Sequence, residues 1–263
     1  MKPIDLTDWI VDPKSTNPKV YVKNGVEKHI ETFENYYVES HFVNRKLHGK
    51  LTGTMNNGTV YLEEYYEKGK QEGEQNNYYD DDSRVQCFYK NDKLHGKKTS
   101  WFANGQLEEE RFYKNGKQEG LHRIWYENKQ LKKEAHYKNG NREGQMILYY
   151  SNGRIERKRN FKRNKTDGLQ IYYDLNGNRI ETPCKNGLDH GTEIGYYANG
   201  NRMWKHQFIN GKLEGKDVYY NENGTISIIQ HYKNNKLEGE RFLYDENGNL
   251  ESEQVYADDK RIS

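Results

Sequence analysis

The sequence predicts an all-β fold: an elongated, open antiparallel β-meander built from tandem β-hairpin repeats of about 24 residues. Three observations predict it. Glycines recur at Gly49, Gly73, Gly96, Gly120, Gly144, Gly168, Gly191, Gly215 and Gly239, in steps of 23 or 24. Nine residues after most of these anchors stands an Asn-Gly pair, as at Asn57-Gly58, Asn104-Gly105 and Asn152-Gly153, with Ser83 and Lys129 as departures from the turn glycine. Two aromatic columns keep the same frame. Five residues after the anchor come Tyr78, Trp101, Trp125, Tyr149, Tyr173, Tyr196, Tyr220 and Tyr244, broken by Thr54; seven before it come Phe42, Tyr66, Tyr89, Tyr113, Tyr137, Phe161, Cys184, Phe208 and Tyr232. A fixed period of this kind marks a repeat array.

Residues 1–35 fall outside the frame and are expected to form an irregular N-terminal cap that protects the first sheet edge. Within it, Trp9, Ile10 and Val11 between Asp8 and Asp12 suit a strand or short helix, and Lys23-Asn24-Gly25 suits a degenerate turn. Residues 36–263 are expected to be a single array of about nine repeats plus a truncated tenth. Each repeat is cut twice by turn residues, so it holds two short strands, and alternation such as Leu107, Glu109, Arg111, Tyr113 identifies them as extended. Leu121, Ile124 and Trp125 have helical spacing, but the counterpart segments EGQMILYYS and EGKDVYYNE do not keep it. The anchor glycine is expected to leave room for a ring from a neighbouring strand. Pro183 removes a strand donor and predicts a local irregularity or bend, and YYDLNG, YYNENG and LYDENG predict that loop length or a bulge varies at the second turn. VYADDKRIS at the end is a charged half unit suited to blunting the other edge.

The composition fits a protein without a thick core. Hydrophobic residues make up 32% of the chain, yet 23 tyrosines are present, and a Tyr buries a large ring while keeping a polar handle in water. A formal charge of +2 does not demand nucleic acid or an anionic membrane. The first fifteen residues carry three Asp and no apolar signal-peptide core, and no stretch reaches membrane-spanning length, so a cytoplasmic setting is expected. Cys87 and Cys184 lack ligand spacing and read as buried thiols.

With units such as YKNGKQEGLHRIWYENKQL at 113–131 and YKNGNREGQMILYYSNGRI at 137–155, the chain resembles the MORN repeat family, and more closely its bacterial variant, over about residues 42–259. The resemblance implies an extended antiparallel sheet used in protein binding, scaffolding or membrane association. Variant-repeat bacterial proteins are often labelled antitoxins or immunity-type proteins, which implies a protein toxin as partner.

Chemistry is sparse in the residues. No nucleotide-binding glycine loop, nucleophile elbow or zinc motif occurs, so no catalytic, cofactor or metal residue is nominated and no enzyme is expected. Glu108, Glu109 and Glu110 alternate faces on an extended strand. The basic run RIERKRNFKRNK at 154–165 divides between both faces, which suits a solvated edge or an acidic protein partner better than a nucleic acid. In the recurring phrase NGKQEG, Lys at the third place and the acid at the fifth point the same way and are expected to pair on the surface. The repeated aromatics and glycines are assigned to structure. Residues that vary between repeats are the candidates for contact with a partner: Arg123, Ile147, Gln170, Glu193 and Met203. The favoured function is a non-enzymatic protein-binding repeat protein acting as a monomer, with a structural or membrane-proximal scaffold as the alternative.

Overall fold

A computed structural model of the chain describes residues 10–11 and 17–263. Among these residues every regular element is a strand, so the all-β antiparallel meander of hairpins is observed. Among the described residues no helix is long and apolar enough to cross a membrane. Contacts group the chain into two compact units, one of Met1–Gln130 with Lys138–Gly140, the other of Leu131–Tyr137 with Asn141–Ser263.

In the first unit each strand pairs with its neighbours in sequence. Ile10–Val11 lies on Lys19–Lys23, which pairs with Val26–Thr32, which in turn pairs with Tyr36–Val43. Thus the segment expected as a cap contributes a hairpin through Asn24-Gly25 over its described part; Asp8, Trp9 and Asp12 lie outside the described residues. The order continues through Gly49–Met55, Val60–Glu67, Gly73–Tyr78, Arg84–Lys90 and Lys93–Trp101 to Leu107–Lys114 and Lys117–Trp125. The second unit repeats the scheme from Asn141–Tyr149 and Ile155–Lys162 to Gly239–Tyr244 and Leu250–Ala257.

Two kinds of turn alternate. The first is a two-residue hairpin whose central residues both have positive φ, as at Asn115 (50°) and Gly116 (79°), the twist that suits antiparallel strands. Arg45, Asp92, Asn164 and Asn235 occupy the glycine place with φ between 61° and 69°. The second turn spans four residues closed by a left-handed residue: Gly105 N donates to Phe102 O and Phe102 N to Gln106 O. In the unit after Gly73 the left-handed place belongs to Asp82, φ 65°, and not to Ser83, which instead donates its N–H to Asp81 Oδ1 at 3.0 Å. The loops of YYDLNG, YYNENG and LYDENG have this same length, with Asp174, Asn221 and Asp245 in the place of Phe102, and it is the bulge that varies: the register shifts at Tyr219/Tyr220 and at Leu243/Tyr244 but not at Tyr172/Tyr173.

The anchor glycines overturn one expectation. All nine have positive φ, from 77° at Gly144 to 114° at Gly191, and no aromatic ring comes nearer to an added Cβ than Phe88 Cγ at 3.9 Å from Gly96, although Pro183 Cγ would lie 3.0 Å from one at Gly191. Six of them begin a strand, while Gly96, Gly120 and Gly144 lie within one; at all nine the chain takes a left-handed step that glycine adopts without strain. Between the pairs Tyr66↔Gln71 and Glu63↔Asn76 the second strand advances two residues further than the first, and Glu72 N donates to Tyr65 O there. Rings cover two other glycines instead. A Cβ at Gly195 would lie 2.5 Å from Trp204 Cε2, and one at Gly53 would clash with the Tyr61 ring.

At Pro183 the expected irregularity falls on one side of the strand only. That strand, Arg179–Lys185, runs through without a register shift against Gly168–Tyr173. Toward the next strand Pro183 faces a bulge, where its carbonyl accepts His190 N at 2.8 Å and no amide donor is required of it.

The core is thin. In the second unit Ala135, Met146 and Phe161 are buried together, flanked by Tyr137 and Leu148, and Arg142 lies over the Phe161 ring at 4.3 Å. Cys87 is buried, while Cys184 is only half-buried, its thiol donating to Asp189 Oδ1 at 3.1 Å. Burial and that hydrogen bond push the Cys184 pKa up to about 12, which makes it an inert thiol.

Candidate functional site

Strand alternation sorts the side chains of the second unit onto two faces. Cross-strand pairs carry one face from Leu148 to Arg157, then to Tyr172 and Ile180. The same face holds Met146 and Arg159, then Gln170 and Thr182. On it opens a cleft of about 460 Å³ between Arg157 and Arg159 on one wall and Asp189 and Glu193 on the other, with Gln170, Tyr172 and Ile180 between them. Arg157 lies over the Tyr172 ring with its guanidinium carbon 5.2 Å from the ring centre. Burial, then Arg157 and Arg142 nearby, lower the Arg159 pKa from its ordinary value.

The acids of the far wall already have partners. Glu193 accepts Thr182 Oγ1 at 2.7 Å and Trp204 Nε1 at 3.2 Å, and His206 Nδ1 stands 3.7 Å from it. His206 Nε2 is 3.3 Å from Asp217 Oδ1, and Gln230 Nε2 donates to Asp217 Oδ2 at 3.0 Å. Asp217 is 1% exposed; burial pushes its pKa up against the opposing pull of Gln230 and His206. His206 stacks on Trp204 and meets Tyr219 edge-on, so this chain of polar groups is walled by rings.

The first unit has a related cluster. Glu109 Oε1 accepts Arg111 Nη2 at 2.5 Å and His122 Nε2 at 2.7 Å, with His122 4% exposed. Burial acts to raise the Glu109 pKa, but those two hydrogen bonds outweigh it and hold the carboxyl below its usual range. Glu108 accepts Ser100 Oγ and Glu110 pairs with Lys97, so the three consecutive acids share no partner.

Of the sequence candidates, Gln170 and Glu193 line the same cleft. Met203 lines a smaller cavity of about 130 Å³ beside it, with Tyr172, Ile180 and Trp204. Ile147 pairs with Lys158 on the opposite face, and Arg123 sits in the first unit opposite Glu110. The eight aromatics five residues after the anchors are half-buried at strand ends; Arg84 stacks on Trp101 at 4.2 Å and Arg179 on Tyr196 at 4.0 Å. Arg157 and Arg159 were not singled out as contact residues, although the signal was present: two arginines on alternate positions of one strand with no acid at their cross-strand places. Among the described residues no cluster of three or more His, Cys, Asp or Glu side chains could hold a metal ion.

Comparison with known families finds five segments, residues 94–115, 118–139, 142–163, 213–234 and 237–258, that match the MORN repeat variant. They hold the units anchored at Gly96, Gly120, Gly144, Gly215 and Gly239. No curated protein matches the chain.

Proposed function

Because the chain is a MORN-variant repeat protein, of a kind that binds other molecules or membranes, we propose that it is a non-enzymatic protein-binding protein whose partner docks on the aromatic and charged sheet face of the second unit. The observation that supports this reading is the cleft between Arg157 and Glu193, which presents guanidinium, carboxylate, amide and ring groups side by side on an open face. Interfaces favour this mixture, since Tyr, Trp and Arg supply rigid area while polar neighbours fix the register. A catalytic role would call for a poised acid, base or nucleophile. The Cys184 thiol is pushed up to about 12, and the carboxylates of Glu193 and Asp217 are committed to internal partners.

The test is capture from the native host with the full chain, followed by reconstitution with the purified partner. A one-to-one complex that survives gel filtration is the expected result. A monomer that retains no protein under mild conditions overturns the proposal. In the antitoxin form of the reading, the partner is a protein toxin encoded beside this chain, and coexpression restores the growth that the toxin alone arrests.

A further inference from the structure

The basic pair of the second unit lacks the counter-charge that its counterpart in the first unit has. Positions eleven and nine residues before the anchor hold Glu109 and Arg111 in one repeat, and there the guanidinium and the carboxylate neutralise each other at 2.5 Å. In the repeat anchored by Gly168 the same positions hold Arg157 and Arg159. Their cross-strand neighbours are Leu148 and Tyr172 for Arg157, and Met146 for Arg159. Neither guanidinium has an ion pair with a carboxylate among the described residues, and Arg157 Nε is buried with no hydrogen-bond partner. Two unneutralised guanidinium groups on one wall of a cleft form a receptor for an anion, which their planar forks can grip with paired hydrogen bonds.

The far wall selects among anions. Asp189 and Glu193 would repel a phosphate dianion more strongly than a single carboxylate. Tyr172 and Ile180 between the walls offer apolar contact to the methylenes of a side chain. We propose that this cleft binds an Asp or Glu side chain on the surface of a protein partner, with Arg157 and Arg159 holding its carboxylate. This deepens the protein-binding reading above and rests on it.

The test uses the full chain labelled with ¹⁵N at arginine, with Nε–Hε resonances followed by NMR during titration. The probes are the blocked peptide acetyl-Gly-Glu-Gly-amide, its Gln counterpart, inorganic phosphate, and vesicles containing phosphatidylglycerol. The Glu peptide is expected to shift Arg157 and Arg159 saturably and to bind about tenfold more tightly than the Gln peptide or phosphate. Arg157→Gln and Arg159→Gln each weaken it about tenfold, and the turn variant Arg163→Gln does not. Unchanged amide spectra establish that the variants fold, and Arg159→Lys, which keeps the charge, retains part of the affinity. Equal binding of the Glu and Gln peptides overturns the proposal. So does tighter binding of phosphate, or arginine-dependent binding of vesicles without binding of the peptide. A partner captured equally well by both Gln variants defeats the cleft alone. Peptide binding in a chain that captures no protein defeats the broader reading alone.

Discussion

At the scale of single residues, glycine serves two physical purposes in this chain, and substitution separates them. At Gly144 a Cβ would meet nothing within 4 Å, but φ is +77°, so Gly144→Ala pays only for left-handed backbone and is expected to lose about 1–2 kcal/mol. At Gly195 φ is unexceptional, but a Cβ would lie 2.5 Å from the Trp204 ring, so Gly195→Ala is expected to lose about 1–3 kcal/mol by displacing the ring. Urea melts distinguish the two. In a Trp204→Ala background the Gly195→Ala penalty shrinks, while the Gly144→Ala penalty stays the same; equal penalties for Gly195→Ala in both backgrounds would contradict the ring contact. Two carboxylates differ in sign as well. The folded pKa of Asp217 is raised above the ordinary 3.8, so its ionisation opposes folding above that pH. Asp217→Asn is therefore expected to stabilise by on the order of 1 kcal/mol at pH 7, with the gain vanishing below the unfolded value. Glu109 is the reverse: its pKa is depressed from 4.5, so its contribution is present above the unfolded value and is lost as pH falls through the folded one. Glu109→Gln should lose roughly 1.5–3 kcal/mol at neutral pH and little in acid, as urea midpoints measured from pH 3 to 8 would show.

At the scale of the element, the residue before eight of the nine anchors supports the next hairpin turn. The expected pairing of Lys with that residue does not occur as a repeated feature. Instead Glu72, Glu119, Glu143, Asp167, Glu214 and Glu238 accept the backbone N–H that opens the following turn, at Asn91, Asn139, Arg163, Asn186, Asn234 and Asp258. His95 and His190 accept the same N–H through Nδ1, which explains why only an acid or His fills the place. The second turn residue then donates to a carbonyl one repeat back, as Gly116 N does to Leu94 O and Gly211 N to Asp189 O. Lys at the third place reaches forward to the next turn where it pairs at all, as Lys236 does to Asp258 at 2.9 Å, an exposed contact of small value. Glu214→Ala should lose about 0.5–1.5 kcal/mol and loosen Asn234, while Glu214→Gln, which keeps an acceptor, should lose less. Hydrogen exchange at Asn234 checks this, and equal protection in both variants would dismiss the support. The period, the strands and the hairpins were legible because turn residues and aromatics recur at fixed spacing. The turn support was not, because it joins residues about twenty apart across the ladder, where sequence spacing gives no direction. The two purposes of glycine were illegible for a related reason: a bulge and a ring contact call for the same letter. The cleft was half legible, since Gln170 and Glu193 stood out by variation, while Arg157 and Arg159 were obscured within a longer basic run.

At the scale of the whole molecule, each described pairing joins strands adjacent in the ladder, and within each unit the turns bind only the repeat before and the repeat after. Stability in such an architecture is a sum over repeats and their interfaces, without a distant core to spread damage. In the second unit the last repeat contributes Gly239–Tyr244, Leu250–Ala257 and the terminal turn at Asp258 and Asp259. Its contacts to the preceding repeat include the pairs Ile228↔Leu243 and Ile229↔Phe242 and the hydrogen bonds of Asp258 and Asp259 to Glu238 and Leu237. A chain ending at residue 238 should keep its fold but expose a new edge at Ile226–Lys233. Amide protection is then expected to fall at Ile228 and Ile229, to fall less at Val218, and to remain unchanged at Met146 and Phe161, three repeats away. A graded loss of this kind is what nearest-neighbour coupling requires. Uniform loss across the second unit would mean that its repeats unfold as one body, and that the thin cluster of Ala135, Met146 and Phe161 is coupled to the terminus by interactions beyond the neighbouring strands.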